Sequence, residues 1–564
     1  MNTSSGGGTS RSSGDETDRS SRAARSKDLP RSIRDQYDWV VVGEEPGALL
    51  SACLVARLGL SVLILSTGKE LRVRTSRERQ ILDLEPNWIS GLAHQGVSPG
   101  LFRQCLMRIG LHSVDLALAG TEPLDLQVLS PQVRVRLGRS HSDVQEDLEK
   151  ELGLEFTRSL QVPYFLSSIE RMMSVLWDEF PNRFNLKLDP KEEASAQVKV
   201  PHPSPTGKPS KKSKAGEPAE TQQLVRESVA EFIKSKDIQQ WIKFLYQQDS
   251  ELLRLGIGQQ DFEDILGAIH WVTQGKSSPW ESEVEAVKSL SLMRTASGFQ
   301  GGRSALKQML LRAAQKNGAH VSQGRFCKRI FSDRGKLTGV QLSNSGNVIG
   351  AAGLILGVTL DEASTLLSEE NRTHSALRSG AVCQGWLFSI SLLVPKLALP
   401  PGATSFMVYS SRDSSPLIIE LSSPDEFGAD PTDLRLVFIR CEVPFESSAL
   451  EPEYLRVVAS RMIQELDQVF PGLVGRAIRI YPDYRMNHSS EIQECYPYLT
   501  PREIPDALRI FSRNSVGSVQ SGIEGMFLGT RESLPGFGDF ASVVSAIEAS
   551  AWIAQKNGIP KLFP

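Results

Sequence analysis

Cysteine is scarce in this chain of 564 residues and poorly placed for chemistry: Cys53, Cys105, Cys327, Cys383, Cys441 and Cys495 form no CxxC pair and stand at no short spacing from a histidine. That distribution excludes a disulfide scaffold and a cysteine-based zinc centre, and no metal site is expected. Cys53 falls in an apolar helical pattern and Cys327 and Cys441 in strand-like runs, so they read as buried structural thiols. No apolar run approaches the roughly 20 residues needed to span a bilayer, and the first residues hold no apolar stretch that would serve as the core of a secretory leader. A large net charge is missing too: 63 basic and 66 acidic residues leave −3. Such a balance gives no global attraction to nucleic acid, which is not expected as a partner. Together these absences place the protein, as an expectation, in the reducing cytoplasm.

Two segments lack the apolar residues needed for a core. Residues 1–34 are rich in Ser, Gly and Arg and read as a disordered tail; Asp15, Glu16 and Asp18 argue against an organellar transit peptide. Residues 190–222 hold Pro201, Pro203, Pro205, Pro209 and a lysine cluster, and read as a flexible linker. What is left is long enough for two or more hydrophobic cores.

The first informative stretch is YDWVVVGEEPGALLSACLVARLGLSVLILS, from Tyr37. A β-branched run from Trp39 to Val42 predicts a buried strand, Gly43 a turn, Leu49, Ala52, Cys53 and Ala56 a helix, and Val62 to Leu65 a second strand. This is a Rossmann-type βαβ crossover, whose first turn is where a nucleotide diphosphate binds. The usual GxGxxG needs its first glycine for the turn, its second for close approach of the diphosphate, and its third for packing helix on strand. Here Gly43 stands, but Glu45 takes the second place and Ala48 the third, with Gly47 one place early. Glu45 brings a negative side chain to the helix start that ordinarily attracts phosphate, so Glu44 or Glu45 is a candidate to cap the helix itself. Ser66 stands where an acid ordinarily holds the ribose.

Two further constellations follow in order. In SGFQGGRSALKQMLLRAAQKNGAHVSQGRFCKRIF, from Ser297, Gly301 and Gly302 precede a helix that Gly318 ends; a hairpin around Arg334 and Gly335 and a strand from Gly353 to Val358 come next. In MFLGTRESLPGFGDFASVVSAIEASAWIAQ, from Met526, a strand ends at Gly529, a Pro-Gly loop runs through Gly536 and Gly538, and a helix of small residues follows.

Taken together these motifs resemble FAD-dependent oxidoreductases of the phytoene desaturase and amine oxidase type. The resemblance implies an α/β fold in which a Rossmann-like FAD-binding domain is interleaved with a mixed α+β substrate domain carrying a helical cap. The cofactor domain would comprise residues 35–140, 296–380 and 516–564. The cap and substrate domain would comprise 141–295 and 381–515, where amphipathic runs at 144–154, 169–180 and 225–246 and strands at 417–421 and 434–441 are read. It further implies that FAD is the cofactor, with Gly43, Glu45, Gly47, Ala48 and Ser66 at the nucleotide, Arg77 at the diphosphate, and Cys327 against the adenine. Gly529, Thr530, Glu532, Gly536, Gly538, Phe540 and Ala541 would lie at the ribityl chain and flavin. In this family an acid often follows the strand glycine; here Thr530 does, and Glu532 lies two further on. No histidine has a partner at a diagnostic spacing, so no catalytic set is named.

Two functions stay open. One is a flavoenzyme transferring hydride from a hydrophobic or amine small-molecule substrate to flavin, with a peripheral contact to the membrane surface. The other is a cofactor-free relative that uses the fold to bind a protein or lipid partner, as the Rab GDP-dissociation inhibitors do within the wider superfamily. Fold cannot choose between them.

Overall fold

In a computed structural model the apolar run becomes strand β1 (Gln36–Gly43), followed by helix α1 (Pro46–Arg57) and strand β2 (Val62–Leu65). Pro46 suits the first helical turn, where its missing N–H is not needed for a helical bond. Gly59, at φ +85°, leaves the helix by a turn that a side chain would strain. The structure describes residues 34–65, 72–154, 259–368, 381–481, 499–505 and 520–559, with interruptions inside these ranges, and isolated positions between 168 and 236. The tail at 1–33, the 190–222 linker and most of the 169–180 and 225–246 runs lie outside the described residues.

Further along come β3 (Trp88–Ile89), α2 (Leu101–Arg108), β4 (Leu126–Leu129), β5 (Arg134–Arg136), α3 (His141–Leu152), α4 (Gln259–Gln274) and α5 (Glu283–Arg294). The middle of the chain forms β6 (Ser297–Gly298), α6 (Gly302–Lys316), β7 (His320–Ser322), β8 (Cys327–Asp333), β9 (Lys336–Leu342), β10 (Val348–Gly357) and α7 (Leu360–Leu366). The remainder forms β11 (Ala381–Pro395), β12 (Phe406–Tyr409), β13 (Leu417–Leu421), β14 (Leu434–Pro444), α8 (Pro452–Val469), β15 (Arg479–Tyr481), β16 (Leu499–Pro505), β17 (Met526–Leu528) and α9 (Asp539–Lys556).

Two main sheets result. The first runs β7-β2-β1-β10-β9-β8, with β17 also paired to β10. Its β7, β2, β1, β10 and β17 are parallel, while β9 and β8 form an antiparallel hairpin. The hairpin turn places Arg334 at φ +48° and Gly335 at φ +74°. β10 serves both parts: its first residues pair with β9 and its last with β17, whereas β1 pairs along almost its whole length. α1 and α9 pack on this sheet, and β1, buried along most of its length, shows the continuous apolar run of a covered parallel strand.

The second sheet runs β15-β11-β14-β13-β12-β4-β5, with β16 also on β11. Alternation divides its faces. Phe388, Ile390 and Leu392 pack with Val437, Ile439 and Cys441 against Leu455, Ala459, Met462 and Leu466 of α8. The opposite face presents Leu387, Phe406, Val408 and Ile418 to the larger core shared with α4 and the first sheet. Among the described residues no helix is long and apolar enough to cross a membrane.

Candidate functional site

The turn after β1 is built for packing. Gly43 sits at φ +104°, and a side chain there would stand 2.0 Å from the Gly357 carbonyl oxygen. A Cβ on Gly47 would lie 2.6 Å from the Ser542 carbonyl of α9 and 2.7 Å from that of Gly529. Ala48 fills the next gap, since a Cβ on Gly357 would meet its methyl at 2.5 Å and one on Gly529 would lie 2.8 Å from its Cα. Gly43, Gly47, Ala48, Gly357 and Gly529 therefore let α1 press onto the ends of β10 and β17 and onto α9, contacts closer than any larger residue permits.

Glu45 stands at the N-cap of α1 with φ −59° and ψ 139°. Its side chain makes no capping bond, unlike the expectation; what fixes the residue is its backbone N–H, which donates to the Gly357 carbonyl at 3.2 Å. Glu45 as a residue is half-buried, and Pro46 at the first helical position carries no N–H.

At the C-terminal end of the sheet, Glu532 is buried and its Oε2 accepts the Leu360 N–H at 2.6 Å. This satisfies the start of α7, which Thr359 and Glu362 close with a reciprocal capping box at 3.2 and 3.4 Å. The Thr530 carbonyl accepts from Ser533 Oγ at 2.7 Å, while Thr530 Oγ1 is buried without a hydrogen-bond partner.

The start of α9 is covered by protein. Gly538 precedes it at φ +53°, and Asp539, in the first turn, is 4% exposed. Both Asp539 oxygens accept from Arg303, at 2.8 and 2.7 Å, and the same guanidinium donates to the Trp88 carbonyl at 2.9 Å. A carboxylate here is stabilised by the partial positive charge of the helix start as well as by the guanidinium fork. Phe537, fully buried, has its ring centroid 5.9 Å from that of Phe540 and 5.1 Å from the ammonium of buried Lys288. Ser90 and Ser542 hold buried hydroxyls without hydrogen-bond partners.

A second buried ion pair crosses the other sheet. Arg440 on β14 donates to Glu420 on β13, and Glu420 Oε1 accepts the Asn87 N–H at 2.7 Å. On the same face Trp271 of α4 donates to Glu442 at 3.0 Å, and His270 and Ser289 lie 3.2 Å apart.

The structure thus brings Gly47 and Ala48 beside Gly529, sets Gly43 and Glu45 against Gly357, and places Phe540 and Ala541 in the buried first turn of α9. Cys327 opens β8, in the hairpin, where its half-buried thiol is pushed up to about 12 by burial. Ser66, Arg77 and Gly536 lie outside the described residues. Sequence reading missed Arg303, Asp539, Glu420 and Arg440. For Glu420 and Arg440 the available signal was a charge inside a largely apolar strand, as in LIIEL and LRLVFIRCEVP, since such a charge must find a partner when buried; Arg303 and Asp539, at helix starts, carry no such signal. Among the described residues no group of three or more His, Cys, Asp or Glu side chains is arranged to hold a metal ion.

No family model and no curated protein matches the sequence. Solved structures do. An oxidoreductase from Methanosarcina mazei superposes with a TM-score of 0.51 at 12% identity, the match covering 90% of this chain and 98% of that one. An engineered triple mutant of putrescine oxidase gives 0.52 at 14% identity, covering 92% and 99%. The chain shares the fold of these two oxidoreductases. Likeness at this level speaks of fold, and the site must speak for itself.

The turn departs from a dinucleotide cradle at one position: Glu45 stands where the second glycine would let a diphosphate approach the backbone, while Gly43 keeps the turn and Ala48 the close packing of helix on strand. At the second helix start the anionic position is taken by Asp539.

Proposed function

We propose that this chain is a cofactor-free relative of the flavin oxidoreductases, which keeps the two-sheet fold as a scaffold for binding a protein or lipid partner. The single observation that carries the reading is the buried Arg303–Asp539 pair, which supplies the start of α9 with its own carboxylate. At the start of α1 the turn glycine, Gly43, is kept and the small Ala48 fills the packing position, while the position reserved for approach of a diphosphate carries Glu45. Loss of function without loss of fold leaves that pattern.

A flavin enzyme is the second reading, favoured by the buried, unpartnered hydroxyls of Thr530 and Ser542 near the strand end where the resemblance sets the ribityl chain. The two readings separate in one experiment. The purified protein is expected to be colourless and to give no heat or fluorescence quenching on titration with FAD, and to remain so as Glu45→Gly. Absorbance bands of oxidised flavin, stoichiometric with protein, would overturn the cofactor-free reading and establish the enzyme.

A further inference from the structure

Three helices end around one short turn, and each ends in a cation. Arg57 closes α1, Arg108 closes α2 and Lys316 closes α6. The segment after α2 joins them: Arg57 Nη1 donates to the Arg108 carbonyl, and Asn317 Nδ2, one residue past Lys316, donates to the Ile109 carbonyl at 3.1 Å. Gly110, at φ +86°, turns the chain there, and a methyl on it would lie 3.6 Å from Arg57 Nη1. His112 follows, with its Nε2 3.5 Å from Lys316 Nζ.

A cation is favoured at a helix C-terminus, so each of the three answers the end of its own helix. That does not account for basic groups gathered at one turn with so little charge of the other sign. α1, α2 and α6 contain no Asp or Glu, in a chain with 66 acidic residues. Asp115, the one acid between Leu101 and Gly120, accepts the His112 N–H at 3.2 Å. Among the described residues neither Arg57 nor Lys316 has a carboxylate within ion-pair distance. Burial first, and then the charge of Arg108, lowers the pKa of Arg57. Like charges held this close are unfavourable until an anion answers them.

We propose that Arg57, Arg108, His112 and Lys316 form a binding site for a phosphate group, free in solution or carried on a lipid headgroup. The donors select the ligand: guanidinium forks and an ammonium arriving from separate helices suit an anion with several oxygens. The site lies at the far end of α1 from Glu45, about 18 Å along a helix of 12 residues. The inference goes beyond the cofactor-free reading, and its test does not measure flavin binding, so the two can fail separately.

The experiment is calorimetric titration of the full chain with sodium phosphate, against sodium chloride at matched ionic strength, for wild type, Lys316→Glu and Arg57→Gln/Lys316→Gln. Wild type should bind phosphate saturably, chloride should not reproduce the heat, and each variant should weaken binding about tenfold or more. Sedimentation with phosphatidylcholine vesicles, with and without phosphatidic acid, distinguishes the sources. Capture that requires phosphatidic acid and is lost in Lys316→Glu assigns the site to a lipid headgroup; phosphate binding without capture assigns it to the free anion. Absence of both would overturn the proposal, and so would binding that the variants keep at wild-type strength. Lys316 is exposed and contacts His112 alone through its ammonium, so Lys316→Glu keeps the test decisive if losing the Arg57 bond unfolds the double variant.

Discussion

Arg303 and Glu420 hold the same dipeptide from its two polar sides: the guanidinium donates to the Trp88 carbonyl at 2.9 Å, and the carboxylate accepts the Asn87 N–H at 2.7 Å. Arg303 belongs to a helix packed on the first sheet and Glu420 to a strand of the second. Asn87 also accepts the Phe299 N–H through its own side chain at 3.2 Å, so three elements converge on one short segment. Each ion pair therefore does more than neutralise a charge, and the first prediction concerns the one in the second sheet.

Removing one member of the Arg440–Glu420 pair leaves the other charge buried, at a cost of about 3–5 kcal/mol. Arg440→Met and Glu420→Leu should each lower the urea midpoint sharply, and the double variant should recover much of the sum. Recovery will stop short of wild type because Asn87 then keeps an unanswered N–H, worth about 1–3 kcal/mol. Additive single effects would show that the two residues do not interact.

Glycine positions should divide by surroundings. Gly47→Ala places a methyl 2.6 Å from a carbonyl oxygen of α9, and overpacking of that kind costs about 1–3 kcal/mol or more. Gly267→Ala in α4 meets nothing within 4 Å and should stabilise by about 1 kcal/mol through helix propensity. Chemical denaturation of the two variants measures both, and a Gly47→Ala protein as stable as wild type would contradict the close approach of α1 to α9.

Glu532 is committed to structure. Glu532→Ala removes the acceptor of the Leu360 N–H, and Thr359→Ala removes the capping-box hydroxyl at a cost of about 1 kcal/mol. Amide hydrogen exchange should quicken in residues 360–366 in both variants and leave β1 and β2 unchanged. Protection in α7 that survives both substitutions would show that its start is held some other way.

Burial raises the thiols of Cys105 and Cys441 from 9.0 to about 12, and that of Cys53 upward as well. These residues should resist iodoacetamide at pH 8 in the native protein and react after unfolding, read by peptide mass. Because the folded values lie above the unfolded ones, the unfolded state binds fewer protons between about 9 and 12. Stability is therefore complete below pH 9 and declines as pH rises through that window. Native-state alkylation of Cys53 at neutral pH would contradict its burial in α1.

Local pattern made much of the fold legible. The β-branched run, the glycine turn and the helical spacing from Tyr37 to Leu65 name their own elements, and Leu417 to Leu421 stands at the bounds read from alternation. The altered nucleotide turn was equally visible, since Glu45 occupies a position whose physical requirement is local. What the sequence could not display is partnership. Asp539 meets Arg303 across 236 positions, and Glu532 caps a helix that begins 172 positions earlier. Glu532 is drawn away by α7, an effect that only assembly of the whole sheet determines.

The order in which this protein is synthesised runs against the order in which it must pack. Trp39, near the start of β1, has its ring centroid 5.7 Å from that of Phe527, which stands 4.8 Å from Trp552 of α9. α1 leaves the ribosome well before α9, the helix it packs against most tightly. Until then its apolar face is open to water and to other nascent chains, a state that recruits chaperones and invites aggregation. A premature stop codon just before Met526 would therefore strike at elements made long before it.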